Sequence, residues 1–170
     1  MGWTIREATA SDIPRIVETV NLAYRVEDFF KIGDRTDAAE ITACFASGTF
    51  LVAEDAEGRL AGCVYFEQKG SHGHFGMLSA RPGNQGRGLG RFLIDQAEAR
   101  AKRLGLSAMD LDVVELRLEL IPWYTRLGYV ETGRAPFSQP GRTRIPCEFI
   151  QMSKPLIPGA TPLRAQEAAR

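Results

Sequence analysis

The chain has 170 residues, 44% of them hydrophobic and 25% charged, and its twenty-one Lys and Arg are matched by twenty-one Asp and Glu. That is enough apolar material for a sizeable core in one domain and too much for a disordered chain. Zero formal net charge leaves no global field to recruit nucleic acid or an anionic membrane, so neither partner is expected, and no apolar run approaches the roughly 20 residues of a membrane span.

Short strand-like runs alternate with amphipathic helices, without a repeat or a linker long enough to divide the chain. Trp3 to Glu7 reads as a first strand, followed by a helix capped at Ser11 or Asp12 with Pro14 in its first turn. Ile13, Ile16, Val17, Val20 and Tyr24 give that helix one apolar face. A second helix is predicted to start near Thr36 or Asp37, to turn Ile41 and Phe45 inward and to stop at Gly48. Phe50 to Glu54 and Leu60 to Glu67 are strands joined by a turn at "DAEG", and His74 to Ala80 is a further strand, ended by Arg81-Pro82-Gly83. Leu89, Phe92, Leu93, Ala97, Ala101 and Leu104 trace the apolar stripe of a long helix that Gly105 terminates. Met109, Leu111 and Val113 alternate with Asp110 and Asp112 as a strand, a short helix follows around Trp123 to Leu127, and strands lie near Tyr129 to Thr132 and Cys147 to Ser153. Residues 1–158 are thus expected to form one domain and 159–170, rich in Ala, Arg and Pro, a frayed tail. Cys44, Cys63 and Cys147 are far apart, without Cys-x-x-Cys spacing, and are expected to be reduced and mostly buried, as suits a cytoplasmic protein; no metal site is expected.

The stretch Gly83 to Gly90, "GNQGRGLG", lies between a strand and a helix. A helix N-terminus offers unpartnered backbone N–H groups and the positive end of the helix dipole, which together suit a phosphate. Gly86, Gly88 and Gly90 remove side chains that would keep an anion at a distance, and Arg87 and Arg91 add charged donors. The dinucleotide pattern Gly-x-Gly-x-x-Gly counted from Gly86 fails at Arg91, and the stretch has no Gly-Lys-Ser/Thr ending for a nucleoside triphosphate. A different phosphorylated ligand is indicated, unless the glycines serve only as a turn.

Gln85 to Gly90 resembles the Gln/Arg-x-x-Gly-x-Gly/Ala signature of the GNAT superfamily of N-acetyltransferases. "GMLSARPGNQGRGLG" is similar to that family's strand, proline turn and loop, and "WYTRLGY" to a second frequent segment further along; with "TIREATASDIPRIV" the resemblance covers roughly residues 3 to 153. The resemblance implies an α/β (α+β) fold: a mixed, mostly antiparallel central sheet of six to seven strands, splayed at the cofactor site and flanked by about four helices. It implies an N-acetyltransferase that moves an acetyl group from acetyl-CoA to a primary amine of a small molecule or peptide, by direct attack on the thioester. The rival reading is an inactive domain that binds acyl-CoA for sensing or assembly. Carried over, the resemblance puts Leu78, Ser79 and Ala80 on the strand that pairs with the pantetheine arm, Gln85, Gly86, Arg87, Gly88, Leu89, Gly90 and Arg91 at the pyrophosphate, and Tyr124 at the position of the general acid. Arg117 stands where the family often has Asn. Dimers are common in such families, so a homodimer is one expectation.

The chemistry asks for a base or water to deprotonate the amine, a backbone N–H near Leu78 or Ser79 for the oxyanion, and a donor to the departing thiolate. Tyr124 suits the last task, with packing beside Trp123 as its bland alternative. His74 is the tentative base; His72, Glu67, Glu115 and Glu119 compete, and both histidines could instead decorate a loop in "GSHGHFG". The acceptor site is expected from "YRVEDFFKIGDR" and "TGRAPFSQPGRTRIP": the carboxylates of the first suit a cationic amine, and Arg134, Arg142 and Arg144 of the second an acidic one.

Overall fold

The computed structural model describes residues 2–159, and the tail expected to fray lies, from residue 160 on, outside the described residues. Seven strands make one sheet in the order β1-β2-β3-β4-β5-β7-β6. They are β1 (Thr4–Glu7), β2 (Gly48–Glu54), β3 (Leu60–Lys69), β4 (His72–Ala80), β5 (Ala108–Val114), β6 (Val130–Pro136) and β7 (Glu148–Pro155). Four α-helices accompany them among the described residues: α1 (Ile13–Ala23), α2 (Ala38–Ser47), α3 (Leu89–Arg103) and α4 (Leu120–Arg126). Every neighbouring pair is antiparallel except β4 and β5, which run parallel.

The helices start and stop where local chemistry directs. A 3-10 turn, Ala10–Asp12, leads into α1, and the Asp12 carboxylate accepts the Thr9 N–H at 2.8 Å. Asp37 caps α2 by accepting the Glu40 N–H at 2.8 Å. Gly105, at φ +73°, closes α3, with its N–H bonded to Lys102 O and the Leu106 N–H to Ala101 O at 3.0 Å. Leu104, expected in the buried stripe, is 50% exposed because the helix turns off at this residue.

The sheet has a core on each face. On one, Leu89, Leu93, Ile94, Ala97 and Ala101 of α3 pack on Val64, Phe75 and Met109, with Tyr124 of α4. On the other, Ile16 and Val20 of α1 and Ile41 of α2 cover Phe50, Val52, Cys63 and Met77. Each large aliphatic buried in these layers contributes about 1.5–3 kcal/mol.

Three expectations are corrected. His72 and His74 are both strand residues, because β3 runs on to Lys69 and only Gly70 and Ser71 make the turn. Helix α4 starts at Leu120, ahead of Trp123, because Pro122 falls in its first turn, where a missing N–H breaks no intrahelical bond. Of the cysteines, all free thiols, Cys63 is buried while Cys44 and Cys147 are half-buried.

One irregularity positions everything that follows. β4 pairs with β3 along its length but with β5 only over His72–His74, against Ala108–Asp110, and beyond His74 the two strands part. At the parting β4 bulges: Cys63 faces Ser79 and Tyr65 faces Gly76, so Met77 and Leu78 share the place opposite Val64. Met77 takes φ +48°, the one positive φ outside glycine among the described residues.

Candidate active site

A cavity of about 510 Å³ fills the opening between β4 and β5 and reaches both faces of the sheet. Leu78, Gln85, Trp123 and Tyr124 line it on the α3 and α4 side, and Tyr24, Glu27, His74 and Asp112 on the other. The predicted strand residues Leu78, Ser79 and Ala80 lie along the edge of β4 that β5 leaves unpaired. Leu78 and Ala80 lean on the α3-side core, whereas the buried Ser79 hydroxyl donates to Met77 O at 2.9 Å.

The glycine loop ends at the N-terminus of α3. Gly86 and Gly88 adopt φ +72° and +84°, a backbone that L side chains avoid, and the space beside their Cα atoms is open. Gly90 is small for a different reason: a Cβ there would meet the Trp123 ring at 3.3 Å. Gly88 caps α3 without a side-chain acceptor and no acidic residue occupies the first turn, so the leading N–H groups and the dipole face outward uncompensated. The first intrahelical bond runs from Phe92 N–H to Gly88 O at 2.9 Å. Gln85 donates to Ala80 O at 3.2 Å and so ties the loop to the strand. Leu89 is buried, which leaves only its backbone for a ligand, and Arg91 pairs along its helix with Asp95 at 3.1 Å. The Arg87 side chain lines a separate cleft with Asn84 and Arg15.

Tyr124 is 6% exposed, its ring lying 6.1 Å from Phe75 and 6.0 Å from Tyr129 between centroids. Its hydroxyl lines the cavity without a hydrogen-bond partner among the described residues, and burial pushes the phenol well above its ordinary range. His74 projects from β4 to the opposite face, with Nε2 3.3 Å from Asp112 Oδ2. The rival bases are engaged elsewhere and do not line the cavity. His72 is buried, with Nδ1 2.7 Å from Asp110; Glu67 is held by Tyr65 and Lys69; Glu115 pairs with Arg134. Glu119 binds Arg117 Nε at 2.7 Å.

Arg117 does not face solvent: it joins the loop before α4 to the 3-10 helix Tyr24–Glu27, donating to Glu27 at 3.0 Å. Burial raises the Glu27 carboxyl above its usual value against the pull of this arginine. The two segments expected to form the acceptor side do meet. Lys31 bridges Thr143, Ile32 N–H bonds to Arg142 O at 2.9 Å, and Arg144 N–H to Phe30 O at 2.6 Å. Inspection of the sequence missed Lys31, 4% exposed in this wall, and the Met77 bulge. Lys31 was detectable only as a charge between Phe30 and Ile32, and the bulge left no local mark at all.

A sheet parted between β4 and β5, with a glycine loop and uncapped helix N-terminus beyond one side of the gap and titratable side chains on the other, defines an α/β domain built around a central cavity. Residues 17–129 match the profile of the Acetyltransferase (GNAT) family, and the chain belongs to that family. An uncharacterized N-acetyltransferase of Schizosaccharomyces pombe is 33% identical over 87 residues, covering 50% of this chain and 53% of that protein, so the chain spans about half the length of the curated relative it matches. The putative acetyltransferase yncA of Salmonella typhimurium, solved with acetyl-CoA, superposes with a TM-score of 0.72 at 24% identity, over 95% of this chain and 98% of that one. A phosphinothricin acetyltransferase of Sinorhizobium meliloti, in complex with acetyl-CoA, gives 0.74 at 20% identity, over 97% and 95%. These two likenesses establish the fold. Among the described residues no helix is long and apolar enough to cross a membrane.

Proposed function

We propose that this chain transfers an acetyl group from acetyl-CoA to a primary amine of a small molecule. The observation that carries the proposal is the gap itself, lined by the free edge of β4, by Gln85 of the loop that leads into the uncapped α3 N-terminus, and by Tyr124, whose hydroxyl has no hydrogen-bond partner among the described residues.

The residues fit the donor substrate. Backbone N–H groups from Gly86 to Arg91 take the pyrophosphate, where the open space beside Gly86 and Gly88 lets an anion approach. The unpaired edge of β4 at Leu78–Ala80 receives the amide-bearing pantetheine arm as a sheet edge receives a strand. The thioester supplies an activated acyl carbon, which the amine nitrogen attacks; as the C–S bond breaks, the nitrogen gives up its second proton and the thiolate leaves as the thiol.

His74, oriented by Asp112, accepts the proton that the ammonium must lose before attack. An N–H of the bulge at Leu78 or Ser79 points its dipole at the developing oxyanion, and the strained φ of Met77 is the backbone signature of such a site. Tyr124 donates to the departing thiolate. Its raised phenol stays protonated at neutral pH, and it acts chiefly as a hydrogen-bond donor, since complete transfer from so weak an acid is uphill.

Two measurements test the proposal: thermal unfolding with acetyl-CoA, ATP or NAD, and thiol release with a panel of amines. Acetyl-CoA alone should raise the melting temperature, by an amount equivalent to about 2.7 kcal/mol at a hundredfold excess over Kd. Absence of that shift overturns the donor assignment; a shift without turnover on any amine leaves a binding domain.

A further inference from the structure

The charged side chains on the acceptor side of the cavity are paired with one exception. Arg117 binds Glu27 at 3.0 Å, Arg35 reaches Glu40 at 3.5 Å, and His74 meets Asp112 at 3.3 Å. Lys31 lines the same wall, 4% exposed, and its ammonium has neither a hydrogen bond nor an ion pair among the described residues. A largely buried lysine with no ion-pair partner of its own gains from an anionic ligand that enters the cavity it lines.

The lysine is held there by a rigid frame. Its backbone bridges Thr143, and the loop beyond it is pinned by two 3.0 Å bonds between Asn21 and Thr36 and by a 2.7 Å bond from Thr36 Oγ1 to Glu40. Arg35 lies over the Tyr24 ring at 5.4 Å, which fixes a second cation beside the first. A smaller cleft of about 260 Å³ opens onto Tyr24, Lys31 and Arg35 from outside, and its further charged residues are Arg25, Arg144, Asp28 and Asp34. With Lys31 and Arg35 counted, that is four cations against two carboxylates, so the approach to Lys31 favours an anion. Gln139 also lines the cavity, and its Oε1 is buried without a donor among the described residues.

Resting on the acetyl-transfer function proposed above, we propose that the acceptor carries a carboxylate besides its amine, that Lys31 binds this carboxylate, and that the substrate class is therefore a free amino acid. Of the first acceptor segment's carboxylates, Glu27 is taken by Arg117, and Asp28 and Asp34 face the outer cleft, where the four cations outnumber them; the nearby Glu40 of α2 is taken by Arg35. The reaction is the same transfer, with the acid group unchanged and the new bond on the amine nitrogen. A peptide amine or a simple alkylamine offers Lys31 no counter-charge at the corresponding place.

The test compares L-amino acids with their primary amides and with the decarboxylated amines, using acetyl-CoA and thiol release, in the parent and in Lys31→Met. A methionine keeps the length of the side chain and removes the charge, and retention of the acetyl-CoA thermal shift reports that the variant is folded. The parent should prefer at least one acid over its amide by about a hundredfold in kcat/KM, the worth of a charge-assisted pair. In Lys31→Met the ratio of acid to amide should fall towards one, chiefly through KM. Calorimetric binding of the N-acetyl amino acids and their amides separates the two hypotheses. Should no amine be turned over, a preference for the acid that disappears in Lys31→Met still supports the carboxylate site while the transfer function fails. The proposal is overturned if amides or amines are used or bound as well as the acids, or if Lys31→Met leaves the ratio unchanged.

Discussion

The Tyr124 ring packs 5.0 Å from Trp123 and 6.1 and 6.0 Å from Phe75 and Tyr129, so the side chain is an anchor of the core as well as a wall of the cavity. Its hydroxyl has no structural task, which separates the two roles at one atom. Tyr124→Phe keeps the ring, so cofactor affinity and melting temperature should remain close to the parent while kcat falls about a hundredfold, the usual worth of one positioned hydrogen-bond donor to developing negative charge. Single-turnover kinetics on a confirmed acceptor check this; a loss of only a few-fold would leave Tyr124 an anchor. The glycines of the loop likewise differ once seen in place. They were legible as a group from "GNQGRGLG", but that Gly86 and Gly88 answer to φ and Gly90 to the Trp123 ring depends on contacts between segments far apart in sequence.

The α3 N-terminus, the β4 edge and the β4 bulge act as one device at the scale of elements. Gly88→Glu would place a carboxylate at the cap of α3 and force a strained φ of +84° on it. The exposed loop has room for the side chain, so folding should survive while the thermal shift with acetyl-CoA is lost; a variant that keeps the shift would mean the loop is only a turn. Helix α3 could be read from its periodicity because that signal is local, and β2 and β3 from the turn between them. The three-residue overlap of β4 with β5 could not, since register between strands is written in no single segment. The same holds for the contact of His74 with Asp112: the sequence offers His74 as a base or a loop residue and Asp112 as one acid of a strand, and only the parallel pairing, which sets His74 opposite Asp110, brings the two within reach.

For the whole molecule, the first strand, the first helix and the second strand are joined by a charge network around Asp12. Its carboxylate, 2% exposed, accepts from Arg6 at 2.8 and 2.9 Å, from Arg15 at 2.5 Å and from the Thr9 N–H, and Arg6 goes on to Glu54. The hydrogen bond from Arg6 is the chief cause that holds the Asp12 carboxyl well below the usual carboxylate range. A depressed carboxyl contributes stability that is complete above its unfolded pKa of about 3.9 and is lost as pH falls below that value. Asp12→Asn should therefore lower the melting temperature near neutral pH by several degrees, and the difference from the parent should shrink between about pH 5 and 3. Thermal unfolding across that range tests this, and a constant difference would mean that Asp12 acts through packing or geometry alone.

The parting of β4 from β5 has a kinetic consequence. The cavity it creates reaches both faces of the sheet, with Leu78, Gln85 and Tyr124 on one face and Lys31, Arg35 and His74 on the other, so under the proposed function donor and acceptor have separate approaches. Neither need leave for the other to arrive, and none of the three cysteines lines the passage to take the acetyl group in between. If the proposed transfer is direct, both reactants are held at once, and initial-rate measurements should give double-reciprocal plots that intersect; parallel lines would overturn direct attack.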